Sequence, residues 1–135
     1  MPLRLEIVTP EGKAFSDEVA SVVLPGALGE MGILPQHAAL VSALEAGELR
    51  YLKDGVTQEY AIGAGLVEVS NDRVNVLTDM AVKDVDIDEA AVEAALTRAQ
   101  AALKEDTLPE EIAAVEASIA NSLAQLKLKR KRRTV

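Results

Sequence analysis

Residues 63–104 have the sequence GAGLVEVSNDRVNVLTDMAVKDVDIDEAAVEAALTRAQAALK, and the spacing of their apolar residues changes part-way along. In the first half the spacing is two, since Val74 and Val76 alternate with polar residues. That alternation is typical of a strand with one buried face. After Asp84 the spacing becomes three and four, which is typical of an amphipathic helix. We therefore predict a change from β-structure to α-structure near residues 84–86.

Before this point, apolar and polar residues alternate in the same way, beginning with Leu3, Leu5 and Ile7. Turn residues interrupt the alternation at short intervals. Short strands separated by turns, with no helical pattern between them, indicate an antiparallel β-sandwich or barrel over residues 1–85. The clearest hairpin has Asp54-Gly55 at its turn, because both residue types tolerate positive φ. Further turn signals are Pro25-Gly26, Gly29, Gly32, Pro35, Gly47 and Asn71-Asp72.

Two helices are predicted for residues 86–135. Asp86 and Glu89 suit the N-cap and the third position of the first helix. Residues 107–110 form a fuller capping box with a Pro in the first turn of the second helix. The short connection predicts an antiparallel hairpin. The apolar stripes are Val92, Leu96, Ala99 and Leu103, then Ile112, Val115, Ile119, Leu123 and Leu126.

The first helix contains seven Ala between positions 90 and 102. Ala favours helix whatever packs against it. On burial, however, it contributes far less than Leu or Ile, which contribute about 1.5–3 kcal/mol each. The two helices should therefore be stable but weakly attached to each other. As a hypothesis, the hairpin undocks or extends without unfolding.

Charge is distributed unevenly along the 135 residues. Residues 1–86 carry a net charge of −8 and residues 87–126 carry −6, whereas the last nine residues hold six basic side chains and no acid. An acidic body with a basic end predicts an acidic partner for that end. We call these six residues the basic tip: Lys127, Lys129, Arg130, Lys131, Arg132 and Arg133.

Composition excludes several classes of protein. The absence of Cys excludes disulfides and thiolate metal sites. An aromatic content of 2%, together with the acidic body, argues against a nucleic-acid-binding module. The N-terminal residues lack the apolar run of a signal peptide, and no stretch approaches the roughly 18–20 apolar residues of a membrane span. We expect a cytosolic chain that only a partner would hold at a membrane.

No catalytic site, metal site or cofactor is predicted. His37 has no Cys or second His with which to bind zinc. The glycine-rich residues 26–32 lack the Lys-Ser/Thr ending of a phosphate-binding loop and are interpreted as a tight turn. Acid pairs such as Asp17-Glu18 lie at turns, where solvated charge is the usual explanation. The chain is therefore not expected to be an enzyme.

Residues 29–37, GEMGILPQH, are unusual for a loop because apolar side chains lie among glycines beside Glu30 and His37. Two interpretations remain open. An apolar tip with a polar border could be a docking surface. Alternatively, Met31, Ile33 and Leu34 could fold back into the β-domain.

The residues LPGALGEMGILPQHAALVSALEAGELR, 24–50, resemble the signature of the epsilon subunit of F-type ATP synthases. The opening LRLEIVTPEGKAFSDEV, the later GAGLVEVSNDRVNVLTDMA and the helical end are similar in order and spacing, so the resemblance covers nearly the whole chain. It implies a ten-stranded β-sandwich followed by a two-helix domain. It also implies a non-catalytic rotor subunit that couples proton translocation to ATP synthesis.

The same resemblance implies specific partners for each domain. The β-domain would bind the gamma subunit and rest on the c-ring, at the cytoplasmic face of the bacterial plasma membrane. The hairpin would restrain ATP hydrolysis by extending towards the alpha and beta subunits, where the basic tip would meet acidic residues. A solvated, frayed tail is the alternative for that tip. The docking loop implied for the c-ring and gamma consists of Glu30, Met31, Gly32, Ile33, Leu34, Pro35 and His37.

Regulatory ATP binding is a further property of some bacterial members, through Ile-Asp-x-x-Arg-Ala at the first helix. Ile87-Asp88 match this motif, but Ala91 and Val92 replace its last two residues. Asp88 and Arg98 are the possible ATP contacts that remain. The missing guanidinium removes a bidentate phosphate partner, which argues against tight binding.

A different class of function competes with the rotor subunit. The chain could be a free-standing β-sandwich adaptor that binds an acidic protein through its helical hairpin. Co-purification with a membrane-associated ATPase is expected for the rotor subunit and not for the adaptor.

Overall fold

The computed structural model describes residues 2–104 and 108–133, apart from the side chains of Arg132 and Arg133. Within these residues, ten strands precede a 3-10 turn, Asp84–Asp86, and two helices. The elements are β1 (Leu3–Thr9), β2 (Gly12–Val19), β3 (Ser21–Gly26), β4 (Gly29–Ile33), β5 (Leu40–Leu44), β6 (Gly47–Lys53), β7 (Val56–Ile62), β8 (Gly65–Ser70), β9 (Arg73–Thr78), β10 (Ala81–Lys83), α1 (Glu89–Lys104) and α2 (Pro109–Arg133).

The strands form one sheet in the order β10-β7-β6-β3-β5-β8-β9-β1-β2, and β4 pairs with β3 beside this path. The described neighbours are antiparallel except β1 and β9, which are parallel. One end of the sheet packs against the other half, since the rings of Phe15 on β2 and Tyr51 on β6 lie 4.6 Å apart. The sheet is therefore folded over as a β-sandwich, which confirms the predicted fold class.

The core of the sandwich follows from the period-two alternation. In β1, Leu3, Leu5 and Ile7 are fully buried, and in β9 Val74 and Val76 are fully buried. Each such aliphatic side chain contributes about 1.5–3 kcal/mol when it is removed from water. A shift of one residue in the pairing would turn these side chains to the solvent, so their burial fixes the register.

The predicted turns have the expected backbone geometry. Asp54 and Gly55 have φ of +52° and +79°, and Asn71 and Asp72 have φ of +49° and +60°. Two successive residues of positive φ are the mark of a type I′ hairpin turn, whose twist matches that of the strands. Both hairpins, β6–β7 and β8–β9, are therefore closed by residues that tolerate this conformation.

The start of α1 differs from the prediction. Asp88, and not Asp86, caps the helix, because its Oδ1 accepts the N–H of Ala91 at 3.2 Å. The preceding 3-10 turn is closed by the N–H of Ile87, which donates to the carbonyl of Asp84 at 3.3 Å. This turn buries Ile87 and delays the helix by two residues, so the predicted capping box of Asp86 and Glu89 is wrong. The second predicted cap, Thr107, lies outside the described residues.

The helical hairpin rests on the sandwich through α2. The end of α2 lies on β6 and β7, and Leu128 forms a small buried cluster with Ala61 and Ile87. No described residue of α1 is buried. Among the described residues of the two helices, the buried ones therefore lie in the second half of α2 and are Ser122, Ala124, Leu126 and Leu128. Among the described helices, none has the length and apolar character that a membrane span requires.

Candidate functional site

The predicted docking loop lies in β4 and in the segment after it. Ile33 is buried in the sandwich core, and Met31 packs against that core from a partly buried position. Leu34 and Glu30 are exposed. The two interpretations of the loop are thus divided between its residues: Ile33 supports the loop from inside and presents no surface to a partner, whereas Leu34 and Glu30 do.

Glu30 is held in place by the neighbouring sheet. One nitrogen of the Arg50 guanidinium lies 3.0 Å from Glu30 Oε2 and 3.7 Å from Glu48 Oε2. The hydrogen bond to Glu30 raises the pKa of Arg50, and the charges of both carboxylates act in the same direction. The loop therefore presents Glu30 as an oriented, ion-paired carboxylate.

The end of the loop is fixed by backbone contacts. Gln36 has φ of +68°, and its N–H donates to Asp72 Oδ1 at 2.6 Å. His37 is half-buried, with Nδ1 2.7 Å from the carbonyl oxygen of Ala38. The bond between Gln36 and Asp72 ties the loop to the β8–β9 turn. His37 is thus positioned at the border of the exposed Leu34.

A second exposed surface crosses four neighbouring strands. Val8 on β1 pairs with Leu77 on β9, Leu77 pairs with Leu66 on β8, and Leu66 pairs with Ala43 on β5. We call these four residues the apolar row. Leu66 is 40% exposed and Leu77 is 50% exposed. A continuous apolar stripe on a sheet is a feature of docking surfaces.

The basic tip is helical as far as Arg133, and three of its described side chains, Lys129, Arg130 and Lys131, make polar contacts within the chain. Arg130 pairs with Glu89 at 2.9 Å and also with Glu93, both on α1. Lys131 Nζ lies 2.9 Å from Glu48 Oε1 and 3.5 Å from Glu59 Oε2. The tip therefore already has acidic partners within this chain.

The electrostatics of Glu48 reflect these contacts. Burial opposes ionisation of this carboxyl group, but hydrogen bonds with Glu59 and Lys131 and the positive charge of Lys131 outweigh the burial. The pKa of Glu48 consequently lies below its ordinary value of 4.5. Glu48 is therefore a carboxylate at neutral pH and attracts Lys131.

A groove of about 520 Å³ separates α2 from the adjoining edge of the sandwich. Its lining is apolar towards the helix and acidic towards the sheet, and includes Pro25, Glu30, Glu48, Leu123 and Lys127. The groove connects the docking loop with the hairpin. Within the described residues no cluster of His, Asp and Glu suits a metal ion.

Comparison with known proteins identifies the family. Residues 2–84 match the family model described as ATP synthase, Delta/Epsilon chain, beta-sandwich domain. The chain is 39% identical over 133 residues to the ATP synthase epsilon chain of Herpetosiphon aurantiacus, covering 98% of both chains. It is 46% identical over 134 residues to that of Dehalococcoides mccartyi, covering 97% of this chain and 94% of the relative. The chain belongs to the ATP synthase delta/epsilon family.

Solved structures show the same fold. A chain in the Euglena gracilis mitochondrial ATP synthase (OSCP/F1/c-ring) superimposes with a TM-score of 0.73 at 23% identity, covering 93% of this chain and 79% of that one. A chain of the Tetrahymena thermophila mitochondrial ATP synthase, from its central stalk and c-ring, gives a TM-score of 0.56 at 12% identity, covering 98% and 96%. At these identities the likeness concerns the fold alone.

Membership of this family confirms the main prediction from the sequence. The chain is a non-catalytic subunit of the ATP synthase, which is a membrane-associated complex, and its partners are other subunits of that complex. The free-standing adaptor is accordingly not favoured.

The predicted ATP contacts do not converge on α1. Asp88 caps the helix, whereas Arg98 is exposed beside a shallow groove between α1 and α2. Ten residues of helix separate them by about 15 Å along the axis. ATP binding by this pair stays a prediction, and a bound nucleotide would need further groups.

Two surfaces were missed by sequence reasoning. The apolar row could have been found, since Leu66 and Leu77 are out of phase with the buried residues of their strands. Leu28 is exposed at the β3–β4 turn, beside Glu30 of the docking loop, but the sequence analysis did not include it among the docking residues. The ion pairs of Lys131 had no signal in the sequence, because they join residues 83 and 72 positions apart.

Proposed function

We propose that the chain is a central-stalk subunit in which residues 1–85 dock on the gamma subunit and the c-ring while residues 86–135 restrain ATP hydrolysis. One observation carries this division of labour. The sandwich has a buried core of its own and exposed apolar side chains on its surface, whereas α1 buries no described residue and the hairpin is attached through the end of α2. Such a hairpin can leave the sandwich without disturbing its core.

The apolar row is the surface proposed for gamma. It lies on β1, β9, β8 and β5, away from the strands β6 and β7 that α2 covers. Val41, two residues before Ala43 on the same face of β5, is also exposed and extends the surface. Exposed apolar side chains on a stable sandwich favour a protein partner with a complementary apolar face.

The loop from Glu30 to His37 is the surface proposed for the c-ring. Glu30 and Leu34 are exposed, His37 is half-buried beside them, and the exposed Leu28 lies on the neighbouring turn. An apolar side chain framed by an oriented carboxylate and a histidine suits the polar ends of membrane helices. Through this contact the chain would be peripheral to the bacterial plasma membrane on its cytoplasmic face.

The basic tip is the proposed inhibitory element. When the hairpin leaves the sandwich, Lys129 loses its contact with the Asp84 carbonyl and Lys131 loses its contact with Glu48. Both can then meet acidic residues of the alpha and beta subunits, together with Lys127, which is already exposed. Electrostatic pairing of this kind is sensitive to salt. This chain contributes the positive charges of the basic tip and the helix that positions them. The catalytic residues belong to the other subunits.

Co-purification tests this function in the cell. The full-length chain, tagged at its C-terminus, is expected to bring down a membrane-bound ATPase containing gamma and the c-ring. A pool of the chain that is mainly free of ATPase activity would contradict the proposal and would favour an adaptor.

A further inference from the structure

The groove of about 520 Å³ between α2 and the sandwich has one wall from each domain. Its sheet wall is formed by β3, β4 and the start of β6, and includes Pro25 and Glu30. Its helix wall is formed by the second half of α2, and includes Leu123 and Leu128. The groove therefore exists only while the hairpin rests on the sandwich.

Leu123 is an exposed apolar residue in the helix wall. The other leucines in the second half of α2, Leu126 and Leu128, are only 3% and 1% exposed. Leu123 lines the groove and is nevertheless 50% exposed. Lys127, one helical turn further on and also exposed, borders the same wall. Leu123 therefore contributes little to holding α2 on the sandwich and is available to a partner.

The groove is continuous with the docking loop. Glu30 belongs to both, since it lies in the sheet wall and begins the loop that runs to His37. Pro25 and Glu30 are register partners on β3 and β4, and the turn between these strands carries the fully exposed Leu28. Glu30 is therefore two residues from one exposed apolar side chain and shares a groove with another.

This arrangement fits a segment that carries a basic and an apolar side chain. One nitrogen of Arg50 lies 3.0 Å from Glu30 Oε2, yet the side chain of Glu30 is still 61% exposed. Its carboxylate can therefore accept a further hydrogen bond from a cation. Lys127 on the helix wall would repel that cation, which favours its placement on the sheet side. An apolar side chain of the same segment would cover Leu123.

We propose that α2 forms part of the c-ring contact, in which a loop of the c-ring places a basic side chain at Glu30 and an apolar side chain against Leu123. This inference rests on the proposed function, in which the loop from Glu30 to His37 docks on the c-ring. It adds regulation to that contact. Binding of the c-ring stabilises the docked hairpin, and by thermodynamic reciprocity release of the hairpin weakens the contact with the c-ring.

Two affinities of the full-length chain test this inference. The chain is titrated into gamma bound to the c-ring in detergent and, separately, into gamma alone, and the ratio of the two dissociation constants is the gain from the c-ring. Leu123→Asp should lower this gain about tenfold, because a carboxylate would have to be desolvated against an apolar side chain. The affinity for gamma alone should stay within about twofold, because the apolar row lies on strands that α2 does not cover.

Two further variants separate the contact from an indirect effect. Leu123→Ala introduces no charge and should lower the gain about threefold. Leu108→Asp is the matched control, since it makes the same change at an exposed leucine that begins α2 outside the groove, and it should leave the gain unchanged.

Spin labels report whether the hairpin stays docked in these variants. Because the chain lacks Cys, labels can be placed at Thr57→Cys on β7 and Ala113→Cys on α2, both of which are exposed. The distance between the labels in Leu123→Ala should be that of the parent chain, so that the lower gain reflects the lost contact and not a released hairpin.

The outcomes distinguish this inference from the proposed function. An undiminished gain in both Leu123 variants, with Leu34→Asp lowering it, would overturn the part of α2 and leave the docking loop in place. A parent chain that gains no affinity from the c-ring would overturn the c-ring contact itself and this inference with it.

Discussion

The double substitution Leu66→Asp and Leu77→Asp is expected to lower the affinity of the chain for a gamma-containing catalytic head at least ~100-fold. These two residues are register partners at the centre of the apolar row, and both are substantially exposed. A carboxylate there would have to be desolvated against an apolar partner. Both side chains point away from the core, so the sandwich should remain folded. Titration calorimetry against the catalytic head measures the affinity.

A matched control separates the row from exposed apolar residues in general. Val56→Asp and Val85→Asp change two exposed apolar side chains outside the row. This control should bind gamma as the parent does, and circular dichroism should show all three proteins folded. Equal binding by the parent and by the variant of the row would place the gamma contact elsewhere on the sandwich.

Gly65→Ala is expected to destabilise the sandwich by more than about 3 kcal/mol. Gly65 begins β8, and β9 passes so close that an added Cβ would lie 1.9 Å from the carbonyl oxygen of Leu77 and 2.9 Å from the Cα of Thr78. Both atoms belong to the backbone of a central strand, which cannot move without breaking its pairing. The free energy of unfolding in urea measures the effect.

Gly32→Ala provides the comparison for this stability measurement. A Cβ at Gly32 meets no heavy atom within 4 Å, and its φ is not in the left-handed region. Its unfolding free energy should change by less than about 1 kcal/mol. If Gly65→Ala lowered the free energy of unfolding as little as Gly32→Ala does, β8 and β9 could not approach each other as closely as described at Gly65.

The fold was largely predictable because its determinants are local. The alternation of apolar and polar residues predicts the strands, and the turn residues Asp54-Gly55 and Asn71-Asp72 predict two of the hairpins. The parallel pairing of β1 with β9 was not predictable from alternation, since it joins distant segments whose patterns fit either direction. The cap at Asp88 was missed because tertiary burial of Ile87 decided between two nearby acids, a choice that capping preferences alone do not make.

The candidate site was predictable only in part. The loop from Glu30 to His37 is contiguous in sequence, so its composition made it visible. The pairing of β4 with β3 determines which of the loop's apolar side chains face the core. In the structure, Ile33 faces the core. The basic tip was evident in the sequence as a run of positive charges. Its contacts with Glu48 and Glu59 were not predictable, because these residues are distant in sequence and meet the tip only through the packing of α2 on the sheet.

ATP hydrolysis tests the central claim most directly, namely that the sandwich attaches the chain and the hairpin inhibits. A catalytic head that contains gamma but lacks its own epsilon chain is titrated with the full-length chain and, separately, with residues 1–85. We predict that both forms bind, that circular dichroism shows residues 1–85 folded, and that only the full-length chain lowers the hydrolysis rate. Equal inhibition by both forms, or binding by neither, would contradict the account.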